Sequence, residues 1–316
     1  MAEKLLLDVD PGIDDALAIL MALGNDDVEV VGLTTVMGNT TIENTTKNAL
    51  ALLEFVYRTD IPVARGAGRP FADELVMAEY VHGPGGMPET VREALPEPST
   101  KPIDQNAVDF ILEQADEYGD DLTIAAVGPQ TNIALAMALD PTLPDKVSDI
   151  YQMGGALKTT GNVTPQASFN FYVDAAAAAR VVQDGWPTTV GLDVTEPAYL
   201  PPEARERFRG RGTYGDVVAD ILEYKAQGPD GTVAEGGSIT SDAVVLAGIL
   251  GDPLTYEEAY VEIDTTGGPS NGATVYDEHG VYENPPNCTV ALNVDIKQCH
   301  EVVMSSLEGL MPGQNS

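Results

Sequence analysis

Four acids, Asp8, Asp10, Asp14 and Asp15, fall within the segment KLLLDVDPGIDDALAIL that spans residues 4–20. An apolar run carries the first pair, Asp10-Pro11-Gly12 turns the chain, and a helical pattern carries the second pair. The sequence therefore predicts that all four carboxylates converge on one strand-to-helix turn. Acids crowded in this way repel one another, and a hard cation such as Ca²⁺ or Mg²⁺ resolves the repulsion by taking several carboxylate and carbonyl oxygens at once. The plainer alternative has Asp14 and Asp15 complementing a helix dipole while Asp8 and Asp10 end a strand. Four acids in one turn favour the metal.

Later segments repeat the form of a strand ending in polar or Gly residues. Asn39 follows VVGLTTVMG, Val127 and Gly128 close IAAVG, and Met153 closes YQM. Asn162, Ser168 and Asn170 share the segment GNVTPQASFN, and Asp242 starts a helical pattern in GSITSDA. Singly, each has an ordinary role as a turn residue or helix cap. Together they supply amides and carboxylates suited to vicinal hydroxyls, so a sugar is the ligand that fits best.

These residues need a frame. Strand-length apolar runs (LLLDV, VEVVGLTTV, IPVA, LTIAAVG, DIYQMGG, TTVGLDV and the late YVEI) alternate with helical patterns at Thr40 to Tyr57, Ile103 to Tyr118, Thr131 to Leu139, Asp174 to Gln183, Tyr214 to Gln227 and Thr240 to Leu250. This alternation predicts an α/β fold: one open, mostly parallel, Rossmann-like sheet with helices on both faces. Ligands of such sheets bind at the carboxyl ends of the strands. GATVY and NCTVALNVD read as a β-ribbon or edge strands, before a helix from about Lys297 to Leu307. Three loops are rich in Gly and Pro (Arg65 to Pro70, His82 to Pro88, Gly228 to Gly237), and two of them could close as lids over a site. The expected organisation is a single domain over residues 1–310 with a flexible tail at 311–316.

Composition narrows the partners. Among 316 residues, 50 acids oppose 16 bases for a formal charge of −34, which disfavours nucleic acid and anionic membranes as partners. The acids are spread between apolar segments instead of forming one tail, as suits a surface kept soluble in high salt, so a halophilic source is expected. The two cysteines, Cys288 and Cys299, lack metal-like spacing and are expected to be reduced and structural. With no secretory pattern and no long apolar run, a cytoplasmic location is expected.

From Leu5 to about Leu307 the chain resembles the inosine-uridine-preferring nucleoside hydrolase family. DVDPGIDDALAIL is similar to the family's N-terminal aspartate motif, and VMGNTTIENTTKNAL, HGPGG, VGPQTNIALAM, MGGA, GNVTPQASFN and SDAVVLAGILGDP follow in the family's order. The resemblance implies the nucleoside hydrolase fold and Ca²⁺-dependent release of ribose and a free base from nucleosides, as in purine or pyrimidine salvage. It also implies a homodimer or homotetramer. By position, Asp10, Asp15, the Val127 carbonyl and Asp242 match the Ca²⁺ ligands. Asp14, Asn39 and Asn170 match contacts to the ribose hydroxyls, Asn162 a contact to the 5′-hydroxyl, and Met153 an apolar neighbour of the sugar. Cleavage through a sugar cation is helped by nearby carboxylates. Asp10 is the expected base, taking the proton of a water that attacks C1′ with inversion.

Two positions depart from the pattern. Ser241 stands where many members carry His to protonate the leaving base, and Ser168 stands where the family usually has Glu to grip the 5′-hydroxyl. A hydroxyl is a poor general acid. His82 in HGPGG is expected in the pocket as a base contact, and Tyr80 and Tyr224 are candidates to stack on a base or donate a proton. Trp186, the only Trp, is expected to pack in the core or under a loop. Three other readings stay open: a Mg²⁺-dependent phosphatase suggested by the DxD of LLLDVD, a nucleoside binder without efficient catalysis, and a hydrolase of a modified riboside.

Overall fold

In the computed structural model, which describes residues 2–225 and 237–311, ten strands and their helices place every strand-end motif at one edge of a central sheet. The strands are β1 (Glu3–Val9), β2 (Val28–Thr35), β3 (Val63–Arg65), β4 (Leu122–Ala126), β5 (Asp149–Met153), β6 (Thr188–Val190), β7 (Leu254–Ala259), β8 (Val261–Ile263), β9 (Thr274–Tyr276) and β10 (Cys288–Val294). The α-helices among the described residues are α1 (Ile13–Leu23), α2 (Ile42–Phe55), α3 (Glu79–His82), α4 (Glu89–Ala94), α5 (Ala107–Tyr118), α6 (Thr131–Leu139), α7 (Leu143–Lys146), α8 (Phe169–Val173), α9 (Ala175–Gly185), α10 (Leu192–Thr195), α11 (Gly212–Lys225), α12 (Ser241–Gly251) and α13 (Ile296–Glu308).

The main sheet runs β3-β2-β1-β4-β5-β6-β10-β7, parallel throughout except for the antiparallel edge strand β7. Strands such as LTIAA in β4 are buried along their whole length, because helices cover both faces and no alternation with polar residues is required. After β1 the chain builds outward through β2 and β3, then returns to lay β4 on the other side of β1. The β1/β4 crevice is thus a switch point, where the loops after the two strands diverge and leave room for a ligand.

Two helices frame that crevice from one face. In α1 the residues Ile13 to Ala22 are all buried, and Ser241 to Gly248 in α12 are buried too. Such all-round apolar helices belong in a core. Each packs on the other and on α13, and Leu17, Leu20, Val245 and Val303 share one apolar cluster. A second cluster under the opposite face joins Phe110 and Ile111 of α5 to Ile133 of α6 and Ile124 of β4.

Some elements differ from the sequence expectation. TTVGLDV is a strand only to Val190; Gly191 breaks it and α10 follows. YVEI does not join the main sheet, since β8 pairs with β9 in a separate two-stranded ribbon. NCTVALNVD is not at an edge: β10 lies between β6 and β7, and LTYEEA, not anticipated as a strand, supplies the edge. Both Glu257 and Glu258 of that strand suit an edge, where charge discourages further pairing. Cys288 and Cys299 are free, buried thiols whose pKa burial pushes up to about 12. Met311, assigned to the tail, is buried against the core; residues 312–316 and most of the Gly228 to Gly237 loop lie outside the described residues.

Candidate active site

The loop after β1 turns through Pro11-Gly12 into α1, and the geometry of that turn fixes three carboxylates. Asp15 accepts from the backbone N–H of Asp10 (3.0 Å) and Gly12 (3.0 Å) and from Asn39 Nδ2 (2.9 Å). Asp10 accepts from the Asn39 N–H at 2.6 Å, so the loop after β2 closes over the loop after β1. Gly38 allows that approach: a Cβ there would stand 2.1 Å from Asp10 Oδ2. Asp242, at the start of α12, arrives beside α1, and oxygens of Asp14, Asp15 and Asp242 all lie within 4.8 Å of one another. All three are buried.

Asp8 does not join them. It faces the α6 side of the sheet, where its Oδ1 accepts from Thr34 Oγ1 (2.5 Å) and Asn132 Nδ2 (2.8 Å) and its Oδ2 has no hydrogen-bond partner among the described residues. The expected four-acid convergence is therefore three acids around the turn, Asp10, Asp14 and Asp15, completed by Asp242. Burial drives the electrostatics: it pushes the Asp8 carboxyl up to about 7, and it raises Asp10 and Asp15, with the negative charges of neighbouring acids adding to both.

A cavity of about 340 Å³ opens directly above this cluster. Asp14, Asn39, Val127, Met153, Asn162, Asn170 and Asp242 form part of its wall, as do Tyr80, His82 and Ser241. Asp10 and Asp15 lie beneath the wall, 1% and 0% exposed. Three amides are oriented by contacts of their own. Asn39 Nδ2 is spent on Asp15 and the Asp10 carbonyl, which leaves Oδ1 to accept. Asn170 Nδ2 donates to the carbonyls of Val127 (2.5 Å) and Met153 (3.1 Å), again leaving Oδ1. Asn162 is the reverse: Oδ1 accepts from the Phe169 N–H at 2.8 Å, which leaves its NH₂ to donate. His82 Nδ1 accepts from the Ile13 N–H (3.2 Å) and lies 3.5 Å from Asp14 Oδ1, so the neutral ring carries its proton on Nε2.

Three residues singled out from the sequence lie elsewhere. Ser168 is fully buried behind the wall, where its Oγ accepts from the Gly155 N–H at 2.7 Å. Tyr224 packs on the main apolar cluster. Trp186 is neither core nor covered by a loop: it is 49% exposed at the end of α9, in a left-handed conformation beside Tyr260 and Pro285. Conversely, Phe169, Leu192, Glu196 and Ile239 line the cavity and were not anticipated. Glu196 follows the short helix after β6; reading TTVGLDV as one strand hid the fact that the chain turns back over the ligand edge there. The carboxyl-edge rule applied to β6 ending at Val190 would have found it.

Comparison with known proteins agrees with this architecture. The family model described as inosine-uridine preferring nucleoside hydrolase matches residues 5–301. A protein named pyrimidine-specific ribonucleoside hydrolase RihA, from Escherichia coli O8 (strain IAI1), is 41% identical over 302 residues, covering 93% of this chain and 95% of its own length. Among solved structures, a purine-preferring ribonucleoside hydrolase from Gardnerella vaginalis superposes with a TM-score of 0.90 at 30% identity, over 98% of this chain and 99% of that one. A plant nucleoside hydrolase gives 0.89 at 31% identity, over 99% and 100%.

Proposed function

Because the chain belongs to the inosine-uridine preferring nucleoside hydrolase family, we infer that it is a ribonucleoside hydrolase that splits an N-glycosidic bond with water to give ribose and a free base. One observation carries the reading from family to chemistry: a buried carboxylate cluster at the β1/β4 switch point forms the floor of a cavity whose walls hold oriented amides. The amides and acids suit a sugar. Asn39 and Asn170 present acceptors, and Asn162 presents a donor, which is the set that vicinal hydroxyls and a 5′-hydroxyl require.

The same cluster fits a divalent cation. Its donors are all carboxylate oxygens, the ligand type Ca²⁺ takes, and burial without a neutralising charge opposes the ionised form of Asp10 and Asp15. We assign Asp10, Asp15, the Val127 carbonyl and Asp242 as the residues that hold Ca²⁺, with Asp14 beside them. The Val127 carbonyl has a second lone pair beyond the one used by Asn170. When bound, the ion neutralises the cluster and polarises the oxygens of water and ribose.

The remaining roles belong to the protein. Asp10 takes a proton from the attacking water, Asp14, Asn39 and Asn170 grip the 2′- and 3′-hydroxyls, Asn162 grips the 5′-hydroxyl, and Met153 packs on the sugar. His82 contacts the base. Carboxylates under the sugar stabilise the positive charge that develops at C1′ as the bond breaks. A cytoplasmic, halophilic, homodimeric or homotetrameric enzyme of nucleoside salvage accords with the charge of −34 and the family.

The two kinds of relative are named for opposite base preferences, so the test spans both. Ribose release is measured from uridine, cytidine, inosine and adenosine at high salt with Ca²⁺. Turnover of at least one is expected. Failure of every nucleoside by a folded, Ca²⁺-loaded protein would overturn the hydrolase reading.

A further inference from the structure

Among the described residues, Glu196 is the one carboxylate on the cavity wall that stands apart from the aspartate cluster. Its backbone is held firmly: the Glu196 N–H donates to the Leu192 carbonyl at 3.2 Å, closing α10. Beside it Thr195 Oγ1 meets Ser241 Oγ at 3.3 Å, and two backbone bonds of 2.8 Å tie Leu200 to Ser238. The segment carrying Glu196 is thus stapled to the one carrying Ile239 and Ser241, and all three reach the same cavity. Leu192 and Ile239 bring apolar wall on these same two segments, whereas the amides Asn39, Asn162 and Asn170 come from other segments. Apolar wall of this kind suits a planar base.

Resting on the hydrolase reading above, we propose that Glu196 is the general acid that protonates the departing base, the role left empty by Ser241. The C1′–N bond breaks with its electron pair passing to the base. The Glu196 carboxyl proton moves to a ring nitrogen or carbonyl oxygen of that base, which leaves neutral and leaves Glu196 ionised. Water adds its oxygen to C1′ and yields one proton to Asp10, and that proton returns to Glu196 through solvent. The sum is nucleoside plus water giving ribose plus base.

The surroundings favour the protonated form that an acid needs. Burial raises the pKa of Glu196, and Asp193 adds to the shift. Asp193 accepts from the N–H groups of Leu157 and Lys158, each at 2.8 Å, which holds its carboxyl group in place beside the segment carrying Glu196. Among the described residues, the other titratable groups on the cavity wall are Tyr80 and His82 of α3, Asp14 of α1 and Asp242 of α12. Both aspartates belong to the buried acidic cluster, Tyr80 is 58% exposed, and the His82 ring is anchored to the Ile13 amide.

Two substrates separate a leaving-group acid from other roles. A nucleoside base needs a proton to depart, whereas the nitrophenolate of p-nitrophenyl riboside does not. The expected result is that Glu196→Gln lowers kcat on the best nucleoside of the panel by about 10²–10⁴-fold and affects the nitrophenyl riboside far less. Glu196→Asp should recover part of the nucleoside activity. Unchanged nucleoside turnover in Glu196→Gln would overturn the assignment. Equal loss on both substrates would also overturn it, placing Glu196 on the sugar or in the frame. Wild-type protein inactive on both would sink the hydrolase reading and this one together.

Discussion

In the proposed mechanism Asp10 carries the heaviest chemical demand, as the base that serves the attacking water. It is held by the Asn39 N–H, lies against Gly38 and Gly128, and is almost without exposure. A carboxylate so placed has little freedom to reorient, which is what a base serving one water needs. Replacing it with Asn keeps the shape and removes the proton acceptor. Asp10→Asn is expected to lower kcat by at least about 10²-fold while a ribose-containing ligand still binds by calorimetry. Retention of wild-type turnover would remove Asp10 from the chemistry, and a wild-type protein that binds nucleoside without turnover would favour a binding protein. Most of the site residues that the cavity gathers were legible as residue types at strand ends. Ser168 and Tyr224 are not among the cavity-lining residues, because position in a motif does not reveal which way a side chain turns. Ser168 turns toward the Gly155 amide, a backbone donor invisible in the sequence.

At the scale of elements, β1 works twice. Its carboxyl end supplies the site, and Asp8, one step earlier, is buried against α6 with one oxygen unpartnered among the described residues. Its pKa lies near 7 in the folded chain against an ordinary value of 3.8. The folded state therefore binds the proton more tightly than the unfolded one. Its stabilising effect is complete below about pH 4 and is lost as pH rises through 7, with an upper bound on the order of 4 kcal/mol. Asp8→Asn should flatten this part of the profile, seen as a smaller fall in denaturation midpoint between pH 5 and 8 than wild type shows at matched Ca²⁺. An unchanged fall would show that Asp8 is not the group responsible. The long parallel strands and helices were readable because their apolar periods differ. The late strands were not: β7 carries Glu257 and Glu258 and looks like a loop, and only tertiary pairing with β10 makes it an edge. Short α10 escaped notice because Leu192 and Val194 extend an apolar run across Gly191.

For the whole molecule, the charge of −34 is the dominant electrostatic fact. The ion pairs described involve mostly exposed side chains, such as Lys47 with Glu97 and Lys297 with Glu301, and pairs of that kind contribute little. They cannot offset the surplus of acids, so self-repulsion should dominate at low ionic strength and be screened at high. Thermal midpoint is expected to rise steadily from dilute buffer to molar KCl at constant Ca²⁺; a flat or falling midpoint would contradict a halophilic surface. No helix among the described residues is long and apolar enough to cross a membrane.

The proposed reaction depends on the buried acids at the β1/β4 edge holding Ca²⁺ while the protein hydrolyses a nucleoside. Ribose release should be measured on protein stripped of metal, with the stripping verified, and again after stoichiometric Ca²⁺ is restored. Negligible release from the stripped protein and recovery on a single saturating Ca²⁺ titration are expected. Undiminished release from verified metal-free protein would contradict this dependence on Ca²⁺.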